Sequence, residues 1–326
     1  MMKIYVGFDV GGTKCASVCA TERDGGLDFV GRKEFATDGI GPGEAIDRFI
    51  SLAEEILAGN GAGWESAAGI GISCGGPLSS KRGVILCPPN LPGWIDVPIV
   101  DIIEKRLGVK AFLQNDAKAC AMAENTFGAG KGASNMIFCT MGTGFGAGLI
   151  LDGRVYCGEC DMAGEVGHLR LAEDGPVGFG KRGSFEGFCS GGGIARLAKA
   201  LVADKLANGE AVGFCPDMSG VDAITARTVC AAARAGDPVA LEVVETAGEK
   251  LGEGLSLLID ILNPEVIVIG SVFARNVDLF KPAAMRAIER ETISYSRAAV
   301  RLEPAALGDS IGDYAAICLA MEAEKK

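Results

Sequence analysis

The sequence predicts an α/β protein built from two similar lobes that face each other across a cleft. Three observations carry this expectation. A strand, a glycine-rich turn and a second strand occur at residues 3–21 and return at 135–156, about 130 residues later. Around these repeats, apolar runs of strand length alternate with amphipathic stretches of helical length. With 48% hydrophobic residues among 326 and no low-complexity linker, the chain has material for two packed cores.

KIYVGFDV reads as a strand, GGTK as a tight turn and CASVCAT as the returning strand. From about Ala45 to Ala58, residues Ile46, Phe49, Ile50, Ala53, Ile56 and Leu57 line one face of a helix. AAGIGIS has the composition of a buried strand. Pro98 opens the short helix PIVDIIEKRL, which ends at Gly108. AFLQ is a strand and DAKACAMAENTF a helix. The opening pattern then recurs, with NMIFCT as strand, MGTGFGAG as turn and LILDGRVY as strand. Helices are expected near 193–207 and 225–235, with a long one at about 238–262 before Pro264. A strand in EVIVIGS and a final helix in SIGDYAAICLAMEAEKK follow. The hinge is expected near residues 114–118. That gives a small lobe over 1–116, a large lobe over 117–309, and a C-terminal helix at 310–326 that packs back on the small lobe.

The net charge of −11 disfavours nucleic acid and membrane surfaces as partners. An anionic substrate is compatible with it only where cations are placed locally. MMKIYVGFDVGG does not read as a signal peptide, and no apolar run approaches the roughly 20 residues a membrane span needs. The twelve cysteines are scattered through strands and helices, as reduced, buried small side chains would be. Their one close pair, Cys157 and Cys160, has the spacing of a metal or redox pair but lacks a second pair to complete it. These features together predict a cytoplasmic protein.

Three motifs carry chemistry. In FDVGGTK, Gly11 and Gly12 let the backbone approach a ligand, and their N–H groups suit phosphate oxygens. Thr13 adds a hydroxyl, Lys14 a positive charge, and Asp9 a carboxylate able to hold Mg²⁺ directly or through water. Taken singly, the segment could equally be a plain hairpin. The second turn, running from Gly142 through Thr143 and Gly144 to Gly148, lacks the dinucleotide fingerprint and is followed by a strand. Two such turns on two similar strand pairs point to a phosphate clamp between lobes. In QNDAKA, Asp116 stands where a strand gives way to a helix. It could be the helix N-cap, or a general base for a hydroxyl nucleophile in phosphoryl transfer.

With these residues, the chain resembles the ROK family of repressors, open reading frames and sugar kinases, and within it the glucokinase-like members. FDVGGTK resembles the family's first phosphate loop and MGTGFGAGLILDGRVYCG its second. GISCGGPLS resembles its G-x-P-G-P turn, with Gly75 in the proline's place. PNLPGW and QNDAKACAMAE resemble the sugar-binding and catalytic segments, and AGEVGH and SGGGIARLA follow in family order. The resemblance implies an actin-like, hexokinase-type (ribonuclease H-like) fold with ATP between the lobes. It implies that Asp116 is the catalytic base and that Asn90, Asn115, Glu165, His168 and Glu186 contact sugar hydroxyls. Such carboxylates and amides can each serve two neighbouring hydroxyls. Relatives are often homodimers, and the same is expected here.

The family commonly continues with C-x-C-G-x-x-G-C-x-E, whose cysteines bind zinc together with the histidine. Here the three cysteine positions hold Val177, Phe179 and Ser184, while the glycines and Glu186 remain. No structural zinc is therefore expected. The loop is expected to be held instead by burial of Phe179 and Phe185. His168, the only histidine, is then a neutral imidazole with one nitrogen on sugar and the other on a protein acceptor. Cys157, Cys160 and Cys189 could rebuild a zinc site with His168, but their spacing does not match the motif.

The resulting expectation is an ATP- and Mg²⁺-dependent hexose kinase acting on the primary hydroxyl of glucose. The alternative keeps the reaction and changes the sugar to N-acetylmannosamine, N-acetylglucosamine, allose or fructose. A sugar-responsive repressor would carry a DNA-binding module ahead of the first loop, where only eight residues precede Asp9. A non-catalytic sugar binder would not need Asp9, Lys14 and Asp116 together. VIGSVFARN departs from the family's adenine-side glycines at Ser271 and Val272.

Overall fold

The computed structural model describes residues 3–325; Met1, Met2 and Lys326, which fall within the expected lobe bounds, lie outside it. The first sheet contains β1 (Ile4–Val10), β2 (Lys14–Arg23), β3 (Gly26–Ala36), β4 (Ala67–Cys74) and, beyond a small ribbon of β5 (Leu78–Ser79) and β6 (Val84–Ile85), β7 (Ala111–Asn115). Helix α1 (Pro42–Gly59) lies between β3 and β4, and α2 (Ile99–Leu107) precedes β7. The sheet order is β3-β2-β1-β4-β7, antiparallel across its first three strands and parallel across its last three.

Helix α3 (Asp116–Phe127) leads into the second sheet. That sheet is formed by β8 (Met136–Met141), β9 (Phe145–Leu151) and β10 (Arg154–Tyr156), together with two later strands. A two-stranded ribbon, β11 (Val177–Gly178) and β12 (Lys181–Arg182), is followed by α4 (Phe185–Cys189), α5 (Gly191–Ala207), α6 (Ala226–Arg234) and α7 (Pro238–Leu262). The chain continues through β13 (Val266–Ile269), α8 (Val272–Arg275), α9 (Val277–Glu291), α10 (Ser294–Ala299) and β14 (Arg301–Pro304) to α11 (Ile311–Glu324). The second sheet runs β10-β9-β8-β13-β14 with the same pattern of antiparallel and parallel pairs as the first. The repeat seen as strand, turn and strand in the sequence is thus a repeat of a whole five-stranded sheet.

Each sheet has its own core. Phe8, Phe49, Ile70, Ile72 and Leu113 are central to one, and Ile137, Phe185, Leu251, Leu255 and Ile267 to the other. Helix α11 returns to the first sheet, where Ala316, Ile317 and Ala320 pack with Tyr5, Val18 and Ala20. The approach is close. A Cβ at Gly71 would lie 1.9 Å from the Ala316 carbonyl oxygen, and one at Gly69 would lie 2.3 Å from that of Ala320. Tyr5 donates to the Glu324 carboxylate at 2.7 Å, and Lys3 pairs with the same group. No helix among the described residues is long and apolar enough to cross a membrane.

Several expected elements differ from those observed. LILDGRVY is two strands rather than one, because Asp152 and Gly153 take φ of +50° and +73° and turn the chain between β9 and β10. Residues 145–148 of the second glycine segment belong to β9, so the turn itself is Gly142-Thr143-Gly144. Strand β3 and the elements α8, α9, α10 and β14 had no expected counterpart beyond the EVIVIGS strand.

Candidate active site

The first glycine turn joins β1 to β2. A Cβ on Gly12 would lie 2.8 Å from both Cβ and the carbonyl oxygen of Asn90, so glycine lets the turn lie directly against the PNLPGW segment. The Gly11 carbonyl accepts the Thr37 hydroxyl at 2.8 Å, and Thr37 N donates to the Thr13 carbonyl at 3.0 Å. Thr13 and Lys14 are exposed, and Lys14 pairs with Glu34 at 3.2 Å. A cavity of about 290 Å³ opens here, lined by Gly12, Thr37, Asp38, Asn90 and Trp94 among others.

Asp9 lies at the end of β1, beside this turn. Burial first, and then the carboxylates of Asp116 and Asp313, push its pKa up to about 6 against the opposing pull of Arg32 and Lys14. Asp116 is the first residue of α3. The helix N-cap is Asn115, not Asp116: the Asn115 Oδ1 accepts from Ala117 N at 3.1 Å and Lys118 N at 3.3 Å. Its Nδ2 donates to the Asp116 Oδ1 at 3.0 Å. Asp116 is exposed at the surface, yet protein packs densely around its carboxylate. That surrounding burial raises its pKa, while the Ala117 N–H and the Lys118 ammonium pull the other way. Asp9 and Asp116 are therefore two carboxylates that oppose each other's charge. A divalent cation would relieve this, and Mg²⁺ requires only one or two carboxylates beside water and phosphate oxygens. No group of three or more His, Cys, Asp or Glu side chains suited to a metal occurs among the described residues.

The second turn meets the N-terminus of α5. Gly191 N donates to the Gly142 carbonyl at 2.7 Å, and the Ser190 hydroxyl caps the helix by accepting from Gly193 N at 2.8 Å. Beside Gly142 lie the hydroxyls of Thr140 and Ser271. Both line a cavity of about 450 Å³ with Gly270, Ala274, Arg275 and Gly308. Ser190 and Thr140 were not singled out from the sequence, and Ser271 only as a departure from the family's glycines; the SGGG run just before a helix was the available signal for the first. Ser271 has φ +55° and ψ −119°, a conformation that strongly favours glycine. This accounts for the glycine that relatives are expected to carry there.

Glu186 links this turn to the segment that would hold zinc. Its Oε2 accepts Phe145 N at 3.1 Å and would lie 2.9 Å from a Cβ on Gly144. Glu165 and His168 flank a short 3₁₀ turn and are exposed. The expected protein acceptor for the second imidazole nitrogen is not found: no ring nitrogen of His168 is hydrogen-bonded among the described residues. Instead the ring meets Phe179 edge-on, with centroids 5.2 Å apart.

The loop is secured by polar contacts and one aromatic. Lys181 Nζ donates to the His168 carbonyl at 2.6 Å, and Arg182 pairs with Asp174 at 2.7 Å. The Ser184 hydroxyl caps α4 by accepting from Gly187 N at 3.0 Å. Phe185 is fully buried against Phe145, as expected, but Phe179 is not: 71% of it is exposed. A two-residue turn projects Phe179 away from the core. Cys189 is buried with its thiol directed to the Ala247 carbonyl, and the Cys157 thiol accepts from Gln114, so these thiols do not gather around His168.

Asp161 ties the segment after β5 to helix α3. Its carboxylate accepts Ser80 N at 3.0 Å and the Ser80 hydroxyl at 2.6 Å, and its carbonyl accepts the buried Lys118 ammonium at 2.7 Å. No hydrogen bond or ion pair among the described residues joins Asp116 to Glu165, His168 or Glu186.

Comparison with known proteins agrees with this arrangement. The family model described as "ROK family" matches residues 5–323. A glucokinase from Halalkalibacterium halodurans is 36% identical over 282 residues, covering 85% of this chain and 83% of its own. A ROK family glucokinase from Streptomyces griseus, solved with glucose and AMPPNP, is 30% identical with a TM-score of 0.76, covering 99% of this chain and 100% of its own. A ROK family transcriptional regulator, homologous to the E. coli MLC protein, has a TM-score of 0.84 at 23% identity, covering 99% of this chain and 79% of its own. That last likeness speaks to the fold alone. With its two like sheets in the actin-like, two-lobed arrangement and the family model spanning nearly all of it, the chain belongs to the ROK family.

Proposed function

We propose that this ATP-dependent sugar kinase transfers the γ-phosphoryl group of ATP to the primary hydroxyl of glucose. The kinase activity rests on the glucokinase relatives. Glucose is the finer step, supported by what those relatives are named for and by the polar groups available to a hexose. In this reading residues 1–116 and 117–309 form the lobes, and the tail from 310 belongs with the first.

The observation that carries the mechanism is Asp116 at the start of α3, held by Asn115 and with its pKa raised by burial. A carboxylate so placed accepts the proton of the attacking hydroxyl. Its raised pKa makes it a stronger base than a solvated aspartate. Asn90, Asn115, Glu165, His168 and Glu186 would pair with the remaining hydroxyls. An analogue lacking one of these hydroxyls would leave buried groups unpaired. The N–H groups of Gly11, Gly12 and Thr13 and of Gly142, Thr143 and Gly144 would hold phosphate oxygens from the two sides, with Lys14 adding charge. Asp9 would hold Mg²⁺, which when bound offsets the negative charge of the phosphates.

Asp116→Asn tests this assignment. The amide keeps shape and hydrogen bonding but cannot accept the proton. Glucose binding by calorimetry should persist while kcat falls by about 10²–10⁴. A variant retaining about a tenth of the kcat or more contradicts the base role. A coupled assay of the unaltered protein with glucose, fructose, allose and the two acetamido sugars tests the substrate. Preferred turnover of another sugar moves the assignment to that sugar.

A further inference from the structure

The connection between β11 and β12 is only two residues long, with Gly178 paired to Lys181. Both of its residues, Phe179 and Gly180, have positive φ, +41° and +75°. Such turns favour Asn, Asp or Gly at the first position, and a bulky aromatic there is strained. Nothing in the core repays that strain, because 71% of Phe179 lies exposed. The ring has one aromatic neighbour, the His168 imidazole, which it meets at 83°. Lys181, two residues on, fastens the hairpin to the His168 carbonyl. On the other flank, Gly178 packs against Glu186 so closely that a Cβ would lie 2.9 Å from the Glu186 Cβ. A strained, exposed, apolar side chain thus stands against His168, on a hairpin whose preceding residue packs on Glu186, two of the residues assigned to sugar hydroxyls.

A hexose has two kinds of surface. Its rim carries hydroxyls, which Asn90, Glu165, His168 and Glu186 suit. Its faces carry C–H groups, which gain from apolar contact. None of the polar side chains serves a face. We infer that Phe179 is a specificity-determining residue: its ring forms the apolar wall on which a C–H face of the sugar rests. This rests on the sugar kinase reading and deepens it. A sugar with all its ring hydroxyls equatorial presents uninterrupted C–H faces, whereas an axial hydroxyl interrupts one. The wall therefore favours the glucose configuration over axial epimers such as allose and mannose.

Two variants separate this role from a structural one. Asparagine tolerates positive φ, so Phe179→Asn relieves the turn while deleting the ring. Phe179→Trp keeps an aromatic face. For Phe179→Asn, the melting temperature should hold or rise, while KM and calorimetric Kd for glucose rise about tenfold, equivalent to about 1.4 kcal/mol. Its preference for glucose over allose and mannose in kcat/KM should narrow, and KM for ATP should be unchanged. Phe179→Trp should retain glucose affinity, with indole fluorescence that responds to sugar. Unchanged glucose affinity and selectivity in Phe179→Asn, or weakened binding accompanied by a lower melting temperature, would overturn the inference. So would a tryptophan variant that binds sugar as poorly as the asparagine one. If the unaltered protein binds and phosphorylates no sugar in the panel, the kinase reading falls and takes this inference with it; unaltered activity with indifferent Phe179 variants defeats this inference alone.

Discussion

Asp9 holds a proton more readily than a solvated aspartate, because burial and the Asp116 carboxylate both oppose its charge. Its folded pKa of about 6, against an ordinary value of 3.8, ties stability to pH. The favourable contribution of a raised carboxylate is fully present below the unfolded value and is lost as pH rises through the folded one. At neutral pH the ionised Asp9 therefore costs the apoprotein stability, at most about 3 kcal/mol for a gap of about two pH units. Asp9→Asn should raise the melting temperature at pH 7.5, make little difference near pH 4, and sharply reduce turnover. Thermal melts at the two pH values check this, and a variant less stable than its parent at pH 7.5 would refute it. The sequence singled out Asp9 and Asp116 through their positions at strand ends, and the structure brings them close enough for Asp116 to oppose the charge of Asp9. It could not say which of Asn115 and Asp116 caps the helix, since both residue types serve and only backbone geometry separates them. Nor did it reveal that Phe179 faces outward, because side-chain direction in a two-residue turn depends on positive φ at both positions.

Helix α3 begins with Asp116, the proposed base, and two residues on carries Lys118 into the interior, where it is 2% exposed. The ammonium is bonded to the Asp161 carbonyl and draws the pKa of Asp116 downward. Replacing it with an uncharged chain of similar length removes that pull. Lys118→Met should move the acid limb of kcat/KM to higher pH, so that the deficit against the parent is larger at pH 6 than at pH 8.5. Profiles taken across that range decide it; an unmoved limb, or one displaced to lower pH, would count against the coupling. Among the elements, those with strong period or punctuation were legible: α2 between Pro98 and Gly108, α7 before Asn263-Pro264, and the glycine turns. Those that escaped lack such signals. Strand β3 is an outer strand with charged and partly exposed residues along its length. Helix α9 carries Pro282 in its interior, which reads as a break. The Asp152-Gly153 pair between β9 and β10 is a strong hairpin signal that the apolar run around it obscured.

Across the whole molecule, the two glycine turns join corresponding strands of two like sheets, and among the described residues Glu165, His168 and Glu186 make no hydrogen bond to Asp116. If both sides act on one substrate pair, as the proposed function requires, the lobes are expected to approach on binding. Small-angle scattering should give a smaller radius of gyration with sugar and nucleotide bound than without; an unchanged radius at saturation would argue against closure. The doubled architecture was legible from its repeated turns, whereas the Ser80–Asp161–Lys118 junction was not, because it joins residues far apart in the chain through a backbone carbonyl. Helix α11 carries a consequence of another kind. The first sheet is complete once β7 ends at Asn115, yet the helix that covers Gly69 and Gly71 begins only at Ile311. At about 5–20 residues per second, a ribosome needs on the order of ten to forty seconds to make the intervening stretch. Throughout that interval the nascent first lobe presents an uncovered apolar face. The order of synthesis thus leaves the first sheet waiting for its cover until almost all of this sequence has been made.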